Sequence, residues 1–220
     1  MNLFHHEEIY RGKKILAKIK DFPIIICGVG AIGSNLAENL VRQGFASLTV
    51  IDKDRIEDRN INTQVWTKRE IGMLKVAALK YHLFEIMGIE INSSDKELKN
   101  MRRFKNLLPK RLSPTNGLII DAFDNSRSRL LIKKTCSDFH FTYDCLHIGF
   151  SEGYGEIIWN EDYRVPDDKG MDDCDYPLAR NLIMLLVAVA SEVIIKFIDK
   201  QKKENYTITL KDFRIEKYIP

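Results

Sequence analysis

The sequence predicts an α/β fold: a mostly parallel sheet with helices on both faces, extended by antiparallel strands towards its C-terminal end. Three observations carry this. The β-branched run Ile24, Ile25, Ile26 ends at Cys27 and is followed at once by Gly28-Val29-Gly30-Ala31-Ile32-Gly33. A helical pattern from Asn35 to Gln43 then leads to a second run, Ser47 to Ile51, which closes on Asp52. Strand, glycine turn, helix, strand is one parallel crossover unit. Farther along, the early apolar runs alternate with helical patterns while the later ones are joined by loops, which implies antiparallel additions to a parallel sheet.

Within Pro23 to Asp54 each glycine has a physical use. Gly28 allows the tight turn, Gly30 lets backbone approach a phosphate, and Gly33 lets the helix pack close on the strand. The helix N-terminus turns free N–H groups and a positive dipole end towards the anion. Asp52 stands where a carboxylate can accept hydrogen bonds from ribose hydroxyls. This is the start of a Rossmann-like nucleotide site. The fingerprint alone does not choose the nucleotide.

The remaining elements follow in order. A helix spans Glu7 to Ile19, with Arg11 on it. Arg55 to Glu70 forms a polar loop, long for a compact domain, and ordered loops of that length are usually functional. A helix is expected over Met73 to Met87 with Lys75 in its first turn, then a short strand at Ile89 to Asn92 and a short basic helix at Met101 to Leu108. Leu118 to Asp121 reads as a buried strand, followed by Ala122-Phe123-Asp124-Asn125 and a helix from Ser126 to Cys136. Strands are expected at Thr142 to His147 and Glu156 to Trp159. An acidic loop, Asn160 to Asp175, precedes an apolar helix, Pro177 to Lys200. Tyr206, Ile208 and Leu210 alternate with polar residues as in a half-exposed strand.

Composition narrows the function. At 220 residues the chain reads as one domain covering 1–220. A net charge of +3 is too weak to argue for nucleic acid. The four cysteines, Cys27, Cys136, Cys145 and Cys174, contain no C-x-x-C pair, so neither the usual zinc staple nor a disulfide framework is expected. Met1 to Lys20 is polar and charged and has no signal-peptide pattern, so the chain reads as cytoplasmic. Leu182 to Ile198 is strongly apolar, but Ser191, Glu192 and Lys196 interrupt it, which favours a core helix over a membrane span.

The polar loop makes the reading more specific. Asp52-Lys53-Asp54, Asn60-Ile61-Asn62-Thr63-Gln64, Ile71-Gly72, Lys75 and Asp121-Ala122-Phe123-Asp124-Asn125 occur together in one order. This resembles the ThiF/MoeB/HesA family, the adenylating domain of ubiquitin-activating enzymes, from about Arg11 to the last strand. The resemblance implies ATP-dependent adenylation of the C-terminal carboxylate of a small ubiquitin-like or sulfur-carrier protein ending in Gly-Gly, with Mg²⁺ and a homodimer. By similarity Asp52 takes the ribose and Asp54 lies on the phosphate side. Asn60 and Gln64 aim amides at the triphosphate, Lys75 is the phosphate cation, and Asp124 is the Mg²⁺ ligand. Arg11 loosely matches an arginine that reaches the partner subunit's ATP. Simpler roles stand beside these: Asp54 or Asn60 braces the loop, Lys75 is a solvated helix residue, and Asp124-Asn125 caps the helix at Ser126.

Two positions complicate the resemblance. The family pattern reads Asn-x-x-Arg-Gln, and here Thr63 takes the arginine place. A hydroxyl does not replace a delocalised cation. Either Arg59, Lys68 or Arg69 reaches in, or adenylation is slow or absent and the chain is the inactive half of a heterodimeric activating enzyme. Cys174, in Asp172-Asp173-Cys174-Asp175, matches the place where relatives carry an acyl- or sulfur-accepting thiol; it is either that group or a structural cysteine at a helix entrance. The lack of zinc cysteine pairs separates the chain from the zinc-bearing branch. A nicotinamide-dependent oxidoreductase explains the glycines and Asp52 but leaves Asn60, Gln64, Lys75 and Asp124 without roles.

Overall fold

The computed structural model describes residues 2–108, 117–138, 143–166 and 178–219. Its centre is a single eight-stranded sheet ordered β3-β2-β1-β4-β5-β6-β7-β8. The strands are β1 Ile24–Cys27, β2 Leu48–Ile51, β3 Asn92–Ser94, β4 Leu118–Asp121, β5 Asp144–Ser151, β6 Tyr154–Trp159, β7 Asn205–Thr209 and β8 Arg214–Tyr218. The first five in this order, β3 to β5, run parallel, and β5 to β8 are antiparallel. This is the expected architecture. β1, β2 and β4 are buried at every residue, which is why they read as unbroken apolar runs.

The helices are α1 His5–Arg11, α2 Lys13–Lys20, α3 Ala31–Gln43, α4 Lys75–Met87, α5 Met101–Leu107, α6 Ser126–Cys136 and α7 Arg180–Lys200. The helix expected over Glu7 to Ile19 is two helices, because Gly12 adopts φ 84° and breaks it. The third strand begins at Asn92, the residue where the expected strand ended. β8 has no counterpart in the sequence reading, since its residues are exposed throughout and show no buried face. α7 is long and apolar enough to cross a membrane by composition, with mean hydropathy 2.1, yet 61% of that stretch is buried inside the molecule. Its buried face, Leu182, Ile183, Leu186, Val187, Ala190 and Ile194 among others, belongs to the same core as α3 and the sheet. Residues of that kind on most sides of a helix mean burial on more than one side.

The order of the parallel strands fixes where a ligand can bind. β1 leads to β2 on one side, while β4 lies on the other. The crevice at the carboxyl ends of β1 and β4 is therefore the switch point of the sheet, where open α/β sheets bind ligands.

Candidate functional site

The glycine loop is built from backbone geometry. Gly28 has φ +94°, and a Cβ on it would lie 2.8 Å from the Ala122 carbonyl oxygen and 3.0 Å from the Phe123 nitrogen. The loop therefore touches the turn after β4 so closely that only glycine fits. At Gly33 a Cβ would fall 1.8 Å from the Gly28 carbonyl oxygen, so the helix start packs directly on the loop. Gly30 has open space where a Cβ would be. No side chain caps α3, which leaves its first N–H groups facing that space, the arrangement that attracts an anion.

Asp52 organises the other wall. It is 5% exposed. Its Oδ2 accepts a hydrogen bond from Val29 N at 2.6 Å, and its Oδ1 accepts from Asp54 N at 2.8 Å. Burial pushes its carboxyl up, and the positive charge of Lys75 partly offsets that. Lys75 opens α4, with its backbone N–H on the Asp54 carbonyl at 2.9 Å and its Nζ 3.7 Å from Asp54 Oδ2. Only 10% of the lysine side chain is exposed. It is therefore a held cation, and not a solvated helix residue. Asp54 itself is exposed.

The long polar loop is fastened largely to itself. Asn60 Oδ1 accepts from Glu57 N at 2.9 Å, which closes a 3₁₀ turn, Asp58–Asn60. Gln64 is buried, and its Oε1 accepts from Trp66 Nε1 at 2.6 Å. Asn35 on α3 donates to the Thr63 carbonyl at 2.8 Å, which ties the loop to the helix that starts at the glycines. Thr63 is 2% exposed, and its hydroxyl has no hydrogen-bond partner among the described residues. The position thus supplies no cation. Of the three basic residues named as substitutes, Arg59 pairs with Glu57 at 2.6 Å, and Lys68 and Arg69 lie on an exposed 3₁₀ turn, Lys68–Glu70.

Asp124 follows β4 and is exposed, with the Asn125 amide at 3.5 Å. The helix cap belongs to Asn125, whose Oδ1 accepts from Ser128 N at 2.9 Å. That division leaves the Asp124 carboxylate free to face a ligand. Arg11 is engaged within its own chain: its Nε donates to Glu7 at 2.6 Å and its guanidinium forms a two-pronged pair with Glu192 on α7. The side chain is only 8% exposed, and these carboxylates raise its already high pKa. Cys174 lies outside the described residues. Cys27 and Cys145 are buried, and burial pushes both thiols up, which makes them poor nucleophiles.

The ThiF family model matches residues 5–218. The chain belongs to the ThiF family. This ThiF-family chain is 30% identical over 129 residues to ubiquitin-like modifier-activating enzyme 5 of Gallus gallus, covering 55% of this chain and 32% of that protein. It is 28% identical over 169 residues to the Rattus norvegicus protein of the same name, covering 73% and 41%. It therefore spans well under half the length of these curated relatives. Among solved structures, E. coli MccB with ATP superposes with a TM-score of 0.78 at 15% identity over 99% of this chain and 71% of that one. PaaA gives 0.73 at 18% identity, over 93% and 65%. At those identities the likeness concerns the fold.

The ThiF-family reading of the sequence named the glycines, Asp52 and Lys75, which converge at the switch point. It missed Asn35, Trp66 and Arg180. Arg180, in the first turn of α7, donates to the Asn62 carbonyl at 3.3 Å. Together with Asn35, Asn39, Arg42, Asn62 and Gln64 it lines a cleft of about 600 Å³ beside the loop. The α3 residues, the loop residues and Arg180 meet only through contacts far apart in sequence, so no local pattern could have joined them.

Proposed function

We propose that this chain activates a carboxylate by adenylation, and that the carboxylate is the C-terminus of a small ubiquitin-like or sulfur-carrier protein. One observation carries the reading. The turn bearing exposed Asp124 is in contact with the glycine loop, whose other side is held by buried Asp52 beside Lys75. An uncapped helix end, a held cation and an exposed carboxylate thus border one crevice, the inventory for placing a triphosphate and a second anion side by side.

In this reading ATP lies with its ribose towards Asp52 and its phosphates on the α3 N-terminus and Lys75. An incoming carboxylate oxygen attacks the α-phosphorus. The bond from that phosphorus to the bridging oxygen breaks, and pyrophosphate leaves with the electron pair, so no proton has to move. The protein contributes positioning and charge neutralisation. The residues fit a magnesium ion shared with phosphates. Asp124 offers one exposed carboxylate, and no cluster of three or more His, Cys, Asp and Glu among the described residues can hold a metal alone. Bound there, the ion would neutralise charge developing on the departing pyrophosphate. A homodimer, a cytoplasmic setting and transfer of the acyl group to Cys174 belong to the same proposal.

Exchange of labelled pyrophosphate into ATP, dependent on an added carrier, tests it. Exchange that disappears with Asp124→Asn and Lys75→Ala is the expected result, and none with any small Gly-Gly-ending protein sinks the reading. A thiol-labile adduct that vanishes in Cys174→Ala, with exchange retained, would add the transfer step. A second reading has its own support. Buried Thr63 leaves the family's arginine position without a cation, as suits the silent half of a heterodimer. Nucleotide binding without exchange, rescued by a second family member, would favour that reading.

A further inference from the structure

Beneath the Asp124 turn lies a buried polar relay that the adenylation reading does not use. Asp121 ends β4, and His147 sits beside it in register on β5. Both side chains are fully buried. Asp121 divides its carboxylate: Oδ1 accepts from Phe123 N at 3.2 Å, inside the turn that leads to Asp124, and Oδ2 lies 2.7 Å from His147 Nδ1. His147 Nε2 lies 2.8 Å from Asn160 Oδ1.

The Asn160 amide is oriented by its nitrogen, which donates to Ser137 Oγ at 3.0 Å, and that hydroxyl donates onward to the Lys133 carbonyl at 2.9 Å. Both ring nitrogens of His147 therefore face side-chain oxygens, one of Asp121 and one of Asn160, and Cys145 Sγ lies 3.5 Å from Nε2. The ring stacks on Tyr163, with centroids 3.8 Å apart and planes at 11°. Tyr163 is held in turn by Arg129, whose Nη1 donates to its hydroxyl at 2.8 Å.

Such a relay is costly to bury, and apolar side chains could join two strands without it. What it achieves is local. The turn after β4 is pressed between the glycine loop on one side and Asp121 on the other. Without His147, Asp121 would be a buried carboxylate with one long hydrogen bond, free to turn away from Phe123 N.

We propose that His147 is a positioning residue: by locking Asp121 it fixes the Asp121–Asp124 turn, and with it the direction of the Asp124 carboxylate. The proposal rests on the adenylation reading, in which Asp124 meets a phosphate-bound cation.

The test is calorimetric binding of a nonhydrolysable ATP analogue to the full chain, with and without Mg²⁺, for variants whose fold is verified by circular dichroism. The wild type gains affinity with Mg²⁺, and Asp124→Asn loses that gain. His147→Ala keeps its metal-free affinity within about two-fold and loses about ten-fold of the Mg²⁺-dependent gain, the scale typical of residues that orient a metal ligand. His147→Gln, which can still donate to Asp121, recovers part of it. Asn160→Ala removes the distal acceptor, together with the amide's own contact to Ser137, but leaves the His147–Asp121 pair in place, and falls between wild type and His147→Ala. A folded His147→Ala with the full gain overturns the proposal. So does failure of both His147→Ala and Asn160→Ala to fold, which would make the relay a folding element alone. A wild type that binds no analogue at all sinks the adenylation reading itself, a result distinct from wild-type binding with unchanged variants.

Discussion

The Asp52 carboxylate and the Val29 backbone N–H meet at 2.6 Å, so the side chain at the end of β2 shapes the loop at the end of β1. Because the second oxygen holds Asp54 N, Asn cannot replace it: one position would set an amide N–H₂ against a backbone N–H. Asp52→Asn is expected to lower unfolding free energy by about 2 kcal/mol in urea titration, the scale of a charged, buried hydrogen bond lost. Burial raises this carboxyl above its usual 3.8. The folded state therefore binds the proton more tightly than the unfolded state, and this group's contribution to stability falls as pH rises from 3.8 through the raised value. Lys75→Met should steepen that fall.

The glycines separate folding from binding. Gly33→Ala forces a Cβ to within 1.8 Å of backbone oxygen and should cost about 3 kcal/mol or more. Gly30→Ala meets nothing within 4 Å, and its φ of −83° suits any residue. It should unfold like wild type yet bind ATP at least about ten-fold more weakly, because the methyl group fills the open space intended for phosphate. Equal ATP affinity in calorimetry would move the phosphate site elsewhere.

Arg11 and Glu192 join the N-terminal helix to α7. A double-mutant cycle with Arg11→Ala and Glu192→Gln should give a coupling of roughly 1 kcal/mol in stability. An arginine acting chiefly on another subunit's nucleotide would show almost none and would lower exchange instead.

Glu38 on α3 is held down to about 2 by its contacts with His82 at 3.0 Å and Arg42 at 2.8 Å. Its stabilisation is present above the ordinary value of 4.5 and is lost as pH falls towards 2. The group is partly solvated, so Glu38→Gln should remove only about 1 kcal/mol at neutral pH. The difference between variant and wild type should vanish in acid unfolding curves.

Much of the nucleotide crevice is legible in the chain because it is local. Gly28 to Gly33, Asp52 and Lys75 belong to consecutive elements, and their uses follow from backbone sterics. The helix over Glu7 to Ile19 misleads because its apolar spacing continues across Gly12, whose left-handed φ breaks it. β8 escapes notice because backbone pairing with β7, not a buried face, holds it in place. Asp121 and His147 are 26 residues apart, and only the register of β4 on β5 reveals that they touch. Asn60 and Gln64 stand out by resemblance, while the fact that each spends an oxygen on its own loop is visible only in three dimensions.

β8 has a consequence for how the molecule lives in concentrated solution. A sheet whose last strand is exposed at every residue offers a ready template for another chain to pair with. Here that strand carries Arg214, Glu216 and Lys217 beside Ile215 and Tyr218, and Lys217 is pinned to Glu204 at 2.5 Å. Any copy approaching edge to edge would have to strip water from these charges. Replacing Arg214, Glu216 and Lys217 with threonine should leave the chain folded while shifting light scattering towards large assemblies, so the outermost strand keeps the sheet finite.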